Sequence, residues 1–538
     1  MFNFSITPLG NLFFGLSLIV FLSLFVVKNG NRSPLLHIIL LSSLGFIFYA
    51  KDLITFFIGW EVMGWSSYFI IAKTASRRTL QKYIVFNIAG AFSLLASIVL
   101  IYGFSGSFLY QEIDFINTPS HITLAISILV LIAVFVKSGI VLFHHWVVDT
   151  YEQSNDIFTT VLSAIISKAG IFAFILFFSQ LITFKYLETY LFTFVAFMGV
   201  ITSIIATFKA IDEDNMKRLL AYSSIAQVGY IITILAILSN SAFEAALYHT
   251  IIHTFTKLLL FVNIAAIIYI TGKSKFSSLG GLLYTYPLQF ILLVIGIISL
   301  AGMPPLGGFS SKFLIYTTLL EEQKALLLVA VMFSSASAFL YCYKLVYGIY
   351  LGQKTSEENY KKIPVSFYIP QIIASIILIV LGVSPSILRP MFNNILESLN
   401  LDTIIFSDIF TLSTSIGSFN GLAIMGGFAV LFIIILAIFV SLKNKTIKTK
   451  DRYDISYCGE IPDESTNLHY GYGMGRELKR ISFIKVILEN SSKHFWKIVE
   501  TITKDSSTVI KKLYSFDTQT IVLVTFGLFT IVLYMGVN

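Results

Sequence analysis

About fourteen long apolar runs divide this chain, and they constrain its fold more than any other feature of the sequence. Each run has roughly the 20 residues that an α-helix needs to cross a bilayer. The alternating pattern of a membrane barrel is absent, and lipid leaves no backbone group unpaired, so we predict an all-α polytopic membrane protein. The runs lie at 9–27, 34–50, 53–72, 83–103, 122–146, 157–182, 191–211, 217–239, 243–271, 287–319, 325–351, 367–387, 421–442 and 518–536.

Composition and charge agree with this prediction. Hydrophobic residues make up 56% of the 538 residues and charged residues only 12%. Lys and Arg concentrate in the loops after odd-numbered runs, which predicts that these loops are cytoplasmic and that both termini lie on the other side. The net charge of +8 therefore does not indicate a nucleic-acid partner. The loop with Asp149, Glu152 and Asp156 departs from this pattern, and Cys342 and Cys458 lie too far apart to suggest a disulfide framework or a metal cluster.

The runs group into six predicted regions. In each five-helix region the fourth run is interrupted, by His144–Trp146 in the first and by Pro304 and Pro305 in the second. Irregular segments in corresponding positions indicate an inverted-repeat transporter, and an odd number of helices gives consecutive units opposite topology. The regions are an N-terminal helix (1–33), a first half-channel (34–182), an inverted repeat (191–351), additional helices (367–442), a cytoplasmic loop with an amphipathic helix (443–517) and a C-terminal anchor helix (518–538). We interpret the N-terminal helix as retained because it lacks a signal-peptide pattern.

Between 477 and 515 apolar and basic residues alternate at helical spacing. This pattern predicts an amphipathic helix that lies along the membrane surface or across neighbouring helices. The alternative is a flexible cytoplasmic linker, although the apolar periodicity favours the helix.

Five charged residues lie inside apolar runs: Glu61, Lys137, Lys168, Lys257 and Lys312. A charge at the bilayer centre costs at least ~2.5–3.5 kcal/mol, and the usual reason for keeping one is an ion or proton path. Burial favours a neutral lysine, which can then take up and release a proton near physiological pH. The alternatives are snorkelling or packing for the lysines and a structural ion pair or hydrogen bond for Glu61.

His249, His253 and Lys257 are spaced i, i+4 and i+8, so they share one face of a helix. Imidazoles titrate near neutrality and can pass protons in either direction. A His-x3-His zinc site and plain structural hydrogen bonding are the alternatives, but no third zinc ligand is evident. Lys217 and Arg218 start the preceding run, either as headgroup anchors or as part of the polar axis.

Motifs for cofactor chemistry are absent from the sequence. There is no Walker A motif, no dinucleotide fingerprint after a strand, no cysteine cluster and no Cys-x-x-Cys-His. We therefore expect no cofactor in this chain. The energy for transport must come from partner subunits or from an ion gradient.

Four motifs are similar to those of the antiporter-like subunit family. They are Gly59-Trp-Glu-Val-Met-Gly-Trp-Ser-Ser-Tyr68, Met216-Lys-Arg-Leu-Leu-Ala-Tyr-Ser-Ser-Ile-Ala-Gln-Val-Gly-Tyr230, His249-x3-His253-x3-Lys257 and Ser299-Leu-Ala-Gly-Met-Pro-Pro-Leu-Gly-Gly-Phe309. Over about 34–351 the chain resembles the pump subunits of respiratory complex I, above all the chain 5 type, the large subunits of Mrp antiporters and the pump subunits of group 4 membrane-bound hydrogenases. The segment Tyr457-Cys-Gly-Glu460 looks more like the hydrogenase type.

The resemblance implies two inverted half-channels and a role for each polar residue. It implies that Glu61 pairs with Lys137 and that Lys168 forms a bridge. It also implies that His249, His253 and Lys257 form the central axis, that Lys312 is the exit-side lysine, and that the tail holds a lateral helix that braces neighbouring pump subunits.

The chain also departs from the family pattern. Where the family has Pro-x-His-x-Trp-Leu-Pro-Asp-Ala, this chain has Phe143-His-His-Trp-Val-Val-Asp149, which lacks prolines. We therefore expect a softer helix break there. We also expect that this chain lacks about two helices that precede the core in relatives.

We expect a proton-translocating subunit of a redox-driven, complex I-like or hydrogenase-like assembly in a bacterial or archaeal cytoplasmic membrane or, as an alternative, an organelle inner membrane. Its expected partners are other antiporter-like subunits, a redox module and membrane lipid. Iron–sulfur clusters, flavin, NiFe or quinone are expected only in those partners. The alternatives are a subunit of an Mrp-type Na⁺/H⁺ antiporter and a non-conducting scaffold, although a scaffold has no need of the polar residues.

Overall fold

A computed structural model describes residues 3–27, 33–115, 118–181, 186–351, 361–406, 408–441, 478–482, 484–485, 488, 500–501, 504–505 and 508. The chain divides into two compact units, Met1–Glu477 and Leu478–Asn538. The helices of the first unit are α1 (Pro8–Phe25), α2 (Pro34–Tyr49), α3 (Leu53–Ile71), α4 (Arg77–Ser105), α5 (Ser120–Ser138), α6 (His145–Gln153), α7 (Asp156–Val161), α8 (Ser167–Ile175), α9 (Tyr186–Asp212), α10 (Met216–Leu235), α11 (Asn240–Thr271), α12 (Pro287–Ala301), α13 (Gly307–Glu321), α14 (Ala325–Ile349), α15 (Val365–Val383), α16 (Arg389–Ser398) and α17 (Gly421–Ser441).

Helix boundaries follow local sequence signals. Proline opens α1, α2 and α12, where its fixed φ suits the first turn and its missing N–H is not needed. Asp52 caps α3 by accepting a hydrogen bond from the Thr55 N–H at 2.7 Å. Asn215 caps α10 by accepting one from the Lys217 N–H at 2.9 Å. Asp52 thus satisfies one and Asn215 two of the backbone donors that a helix start leaves without a partner.

The predicted membrane protein is confirmed, although the number of fourteen spans is not. Among the described residues, eleven helices are long and apolar enough to cross a membrane, and α2 and α12 are shorter apolar helices. The predicted run at 518–536 lies outside the described residues. A small antiparallel hairpin of β1 (Thr411–Ser413) and β2 (Ser418–Asn420) is the one pair of strands among the described residues, and the sequence did not predict it.

The two predicted five-helix regions show the same packing order. In each, the first helix packs on the second, the third on the fourth and the fourth on the fifth. The span formed by α7 and α8, together with α10 and α11, is almost wholly buried, whereas only 39% of the apolar stretch of α4 and of α14 is buried. The polar residues of α10 and α11 therefore lie at the centre of the first unit. The exact boundaries of the six predicted regions stay a prediction.

The first break is sharper than the sequence suggested. The helix α5 ends at Ser138, so Lys137 lies in its last turn. The sequence had predicted a position in the middle of a span. Gly139 and Leu142 take left-handed backbone conformations, with φ of 71° and 78°, and turn the chain without any proline. The indole N–H of Trp146 donates to the freed Val136 carbonyl at 2.9 Å. The expected softer break is therefore wrong, because the left-handed residues and the tryptophan replace the prolines.

The second break separates α12 from α13 between Gly302 and Leu306. Gly302 has φ of 75°, and a Cβ there would lie 2.3 Å from Lys312 Cδ. A Cβ on Gly308 would lie 1.9 Å from the Ser299 carbonyl oxygen. Both positions therefore require glycine, and their close contacts pack the start of α13 against the end of α12.

A third irregularity joins α7 to α8. Residues Leu162–Ile166 form a π-helical turn, and a second π-helical turn, Leu176–Leu181, follows α8. Such turns widen the hydrogen-bond spacing and are frequent at functional sites. The sequence contained no proline or glycine signal for the first of them.

The acidic loop with Asp149, Glu152 and Asp156, which departs from the predicted charge pattern, pairs with cations of other helices. Arg218, in the first turn of α10, lies 3.2 Å from Asp149, 2.9 Å from Glu152 and 2.9 Å from Glu213. Lys82 on α4 also pairs with Asp149. Burial by itself would raise the pKa of Asp149, but Lys82 and Arg218 outweigh burial and hold the pKa below its ordinary value.

Lys217 has a similar environment. Its amine lies 2.8 Å from Asp156 and donates to the Ser154 carbonyl at 2.6 Å. The sequence left headgroup anchoring and the polar axis open for Lys217 and Arg218. In the structure both pair with carboxylates, which ties the start of α10 to the segment between α6 and α7.

The second unit, Leu478–Asn538, contains most of the predicted amphipathic helix and the predicted anchor helix. Leu478–Arg480 forms a short helical turn, and the described positions from 482 to 508 are helical. Lys504 pairs with Glu500 at 2.6 Å, one helical turn away. The rest of the two predicted helices lies outside the described residues.

We predict that Asp149→Asn lowers the thermal unfolding midpoint at neutral pH by roughly 2 °C, because it removes the carboxylate shared by Lys82 and Arg218. The depressed pKa means that this stabilisation is complete above the ordinary aspartate pKa of about 4 and is lost as the pH falls through the lower, folded value. Differential scanning fluorimetry over a pH series measures it. The exposed Asp505→Asn serves as control, and equal midpoints for wild type and Asp149→Asn at neutral pH would contradict the prediction.

We predict that Gly199→Ala destabilises the first unit by about 1–3 kcal/mol, because α9 and α10 touch at two glycines. A Cβ on Gly199 would lie 2.5 Å from Thr233 Oγ1 and 2.7 Å from the Gly229 carbonyl oxygen. Gly15→Ala is the matched control, since a Cβ on this helical glycine has no neighbour within 4 Å. Thermal unfolding of the detergent-solubilised protein should separate the two variants, and equal loss in both would refute close packing as the cause.

Candidate functional site

Six buried titratable residues form what we call the polar line: Lys137, Lys168, His253, Lys257, His249 and Lys312. Lys137 is the first of them along the chain. Its amine donates to Asn87 Oδ1 on α4 at 2.9 Å and lies 5.1 Å from the Trp60 ring centre. Glu61 is half-buried and lines the same small cavity as Trp60, Asn87 and Lys137. Among the described residues no salt bridge within 4 Å joins Glu61 to Lys137, but the two side chains line one cavity and interact electrostatically. Asn87, which the sequence analysis missed, holds the amine instead.

Lys168 and His253 form the closest contact between two titratable groups of the line. Lys168 Nζ lies 2.7 Å from His253 Nδ1, and both side chains are 2% exposed. The same amine donates to the Ser163 carbonyl at 2.6 Å, within the π-helical turn, and contacts Ser167 Oγ at 3.3 Å. The irregular turn therefore supplies an acceptor for a deeply buried lysine. A proton can pass between amine and imidazole at this distance.

Lys257 follows on the same face of α11. Its amine donates to Ser223 Oγ at 2.5 Å and contacts the Leu220 carbonyl at 3.3 Å. The hydroxyls of Ser163 and Ser224 lie 2.8 Å apart and connect the π-helical turn to α10. Serine side chains thus lie between the surroundings of Lys168 and those of Lys257.

His249 connects two other helices. Its Nε2 lies 3.0 Å from Gln227 Oε1 on α10, and its Nδ1 lies 3.0 Å from Ser311 Oγ on α13. Gln227 lies within a quoted motif, but the sequence did not indicate its contact. The Tyr230 ring packs 6.2 Å from the imidazole and 5.8 Å from Lys312 Nζ, between the two groups.

Lys312 lies in the second turn of α13, directly after the second break. Its amine donates to the Ala301 carbonyl at 2.8 Å and to Ser335 Oγ on α14 at 2.7 Å. Ala301 is the last residue of α12, so the lysine caps a helix C-terminus, where a cation is favoured. Its side chain is 3% exposed, which rules out snorkelling in the described unit.

Several buried polar atoms near this line have no hydrogen-bond partner among the described residues. They include His253 Nε2, Gln227 Nε2, Ser138 Oγ and Tyr341 OH. Ser138 adjoins Lys137 and packs on α8, where a Cβ on Gly170 would lie 2.3 Å from its hydroxyl. Buried polar atoms normally bind a partner or an ordered water.

The zinc alternative for His249 and His253 finds no support in this geometry. Both imidazoles contact other side chains, and no group of three His, Cys, Asp or Glu residues in the described part of the chain is arranged to hold a metal ion. Zinc needs a nearly tetrahedral set of at least three protein ligands.

The sequence analysis also missed a buried ion pair at the start of α11. Arg389 Nε on α16 donates to Glu244 Oε1 at 2.7 Å, and the side chains are 2% and 4% exposed. Arg389 Nη2 donates in addition to the Ser413 carbonyl at 2.6 Å. Glu244 lies at the beginning of an apolar run. Its burial depends on α16 and the hairpin, which no local pattern predicts. Glu244 lies on a different face of α11 from His249 and His253.

Comparisons with known proteins agree with this geometry. Residues 50–338, more than half of the chain, match the model of the family described as NADH:quinone oxidoreductase/Mrp antiporter, transmembrane. A Staphylococcus aureus protein named antiporter subunit mnhD2 is 29% identical over 364 residues, which cover 66% of this chain and 72% of that protein.

Two solved structures share the fold. One is a chain of the membrane-bound sulfane sulfur reductase, an archaeal respiratory membrane complex, with a TM-score of 0.87, 28% identity and coverage of 99% of this chain and 89% of that chain. The other belongs to the Mrp complex of a Dietzia species, with a TM-score of 0.68, 21% identity and coverage of 74% and 84%. This integral, multi-pass membrane protein belongs to the NADH:quinone oxidoreductase/Mrp antiporter family, as its motifs suggested.

Proposed function

We propose that this chain is the proton-translocating membrane subunit of a redox-driven respiratory complex. The observation that carries the proposal is the 2.7 Å contact between Lys168 and His253 within a buried line of titratable groups. Proton transfer needs donor and acceptor within hydrogen-bond reach and with similar proton affinities, which burial can give a lysine and an imidazole. The groups of the line are Lys137, Lys168, His253, Lys257, His249 and Lys312, with Glu61 beside the first of them.

Each group in this line can change its protonation state without losing all its partners. Lys312 keeps two oxygen acceptors whether its amine is charged or neutral. His253 lies one helical turn from His249 and from Lys257, so protons can move along one face of α11. A change in the contact of one amine alters the proton affinity of the next through charge repulsion. Movement of protons then follows from rearrangement at the helix breaks.

The fold relation to a respiratory complex supports the redox-driven type. The chain from the sulfane sulfur reductase aligns with 99% of this chain, whereas the Mrp chain aligns with 74%. The longer alignment includes the C-terminal region beyond the family domain. We propose that this region braces a neighbouring membrane subunit.

The proposed partners are other antiporter-like membrane subunits, a redox module and membrane lipid. Iron–sulfur clusters, flavin, NiFe or quinone would reside in that module. This chain would act as the translocase part of the oxidoreductase, and its own residues would carry protons only.

A second candidate is a subunit of an Mrp-type antiporter that exchanges Na⁺ for H⁺. The 29% identity to antiporter subunit mnhD2 favours it. The same buried line would serve, with an ion gradient in place of electron transfer as the driving force.

We predict that Lys168→Met reduces proton translocation at least about tenfold while the complex stays assembled, because methionine fills the space but cannot exchange a proton with His253. The measurement is quenching of a pH-sensitive dye in liposomes that contain the purified complex, driven by its electron donor or by an imposed Na⁺ gradient. Lys344→Met is the matched control: Lys344 is also buried, but its amine donates to the Ile211 carbonyl near the end of α9, off the line. Translocation at the wild-type rate by Lys168→Met would refute the path.

We predict that gentle purification from the native membrane yields the chain together with iron-containing redox subunits. Mass spectrometry identifies the subunits and elemental analysis measures the iron. Co-purification of membrane subunits alone, without iron, would reject the redox-driven type and favour the Na⁺/H⁺ antiporter.

A further inference from the structure

His249 has contacts that suit the doubly protonated imidazole. A neutral imidazole has one donor nitrogen and one acceptor nitrogen, whereas the imidazolium has two donors. The Nε2 partner is Gln227 Oε1, which can only accept. The Nδ1 partner is Ser311 Oγ, which can donate or accept. The role of Ser311 therefore decides how many protons the ring carries.

The Ser311 hydroxyl has one proton, and a second acceptor competes for it. Ser311 Oγ donates to the Gly308 carbonyl at 3.0 Å. While that bond exists, Ser311 can only accept from His249, so Nδ1 must carry a hydrogen. Nε2 must also carry one, because it faces the Gln227 oxygen. This set of contacts is therefore complete only for the imidazolium.

Gln227 can also serve the neutral ring. Its Nε2 is buried and has no hydrogen-bond partner among the described residues. Turning the amide over exchanges the oxygen for the NH₂ group, and the neighbouring Tyr341 hydroxyl, which can accept or donate, can pair with either of them. His249 Nε2 can then accept. The amide thus follows the protonation state of the ring at little cost.

We propose that Gln227 is a positioning residue that lets His249 alternate between the neutral and doubly protonated forms, and that Ser311 transmits this state to the second helix break. This inference rests on the proposed proton translocation. Gly308 lies in the first turn of α13, and Lys312 follows Ser311 directly. Loss of the proton from His249 Nδ1 frees the Ser311 hydroxyl to turn from Gly308 to the ring. The contact at the start of α13 therefore changes when Nδ1 releases its proton, whereas release from Nε2 is met by Gln227 and leaves the Ser311 contact as it is.

Several titratable groups surround the imidazole and share its protons and field. They are Lys168 and Lys312, His253 on the same helix and Tyr230, while Tyr341 interacts with the partner amide of Gln227. The cations among them favour release of a proton from His249, so an oxygen acceptor at position 227 is needed to hold the imidazolium.

The test uses the full complex with isotopically labelled histidine and two variants of Gln227. Gln227→Met has a similar volume but no acceptor, and we expect about a tenfold smaller imidazolium signal from His249 in nitrogen NMR at a given pH. We also expect a similar loss of proton translocation. Gln227→Glu retains an acceptor, so translocation should persist with an optimum at higher pH. His249→Gln identifies the signal.

Gln371→Met is the matched control, because Gln371 is also a fully buried amide but bonds to Asn263 and Gln289, away from any histidine. An unchanged imidazolium fraction in Gln227→Met, or the same loss in Gln371→Met, would overturn the proposal. If wild-type complex moves no protons, the proposed function fails, whereas the NMR comparison still decides whether Gln227 sets the state of His249.

Discussion

Main-chain carbonyl groups at helix irregularities hold two of the buried lysines, Lys168 and Lys312, in place. A backbone carbonyl or an ammonium group costs free energy when it lies in lipid or in the protein interior without a hydrogen-bond partner. Lys312 binds the last carbonyl of α12, and Lys168 binds a carbonyl of the π-helical turn. Lys257 adds a contact to Leu220 beside its serine partner. Each pairing satisfies both groups, so the irregular backbone and the buried amines depend on one another.

This dependence suits a protein that moves protons. A carbonyl oxygen accepts a hydrogen bond from a charged or a neutral amine, so the contact does not lock the lysine in one state, as a buried carboxylate would. Buried carboxylate pairing does occur, but away from the line, between Glu244 and Arg389. There it links α11 to α16 and fixes the helix that carries the histidines. The acids around Arg218 similarly fix the start of α10.

The sequence predicted much of the fold and the identity of the candidate site residues. Apolar runs revealed the spans, and the lone charges within them named Lys168, Lys257 and Lys312. It was wrong about the position of Lys137 within its helix, since Lys137 lies in the last turn of α5, and about the softness of the adjacent break. Proline is a strong local signal for a break, but Gly139 and Leu142 form one through left-handed conformations that no simple pattern reveals. The residue roles themselves stay predictions.

The sequence by itself determined that the chain is a helical membrane protein, which residues are charged within its spans and which face of α11 carries the histidines. Hydropathy and helical periodicity are local properties, so they can be derived from neighbouring residues alone. Only the tertiary structure decided that Asn87 takes the amine of Lys137, that Lys168 meets His253 and that Gln227 and Ser311 flank His249. These contacts join residues that are 50 or more positions apart in most cases, and their geometry depends on how whole helices pack.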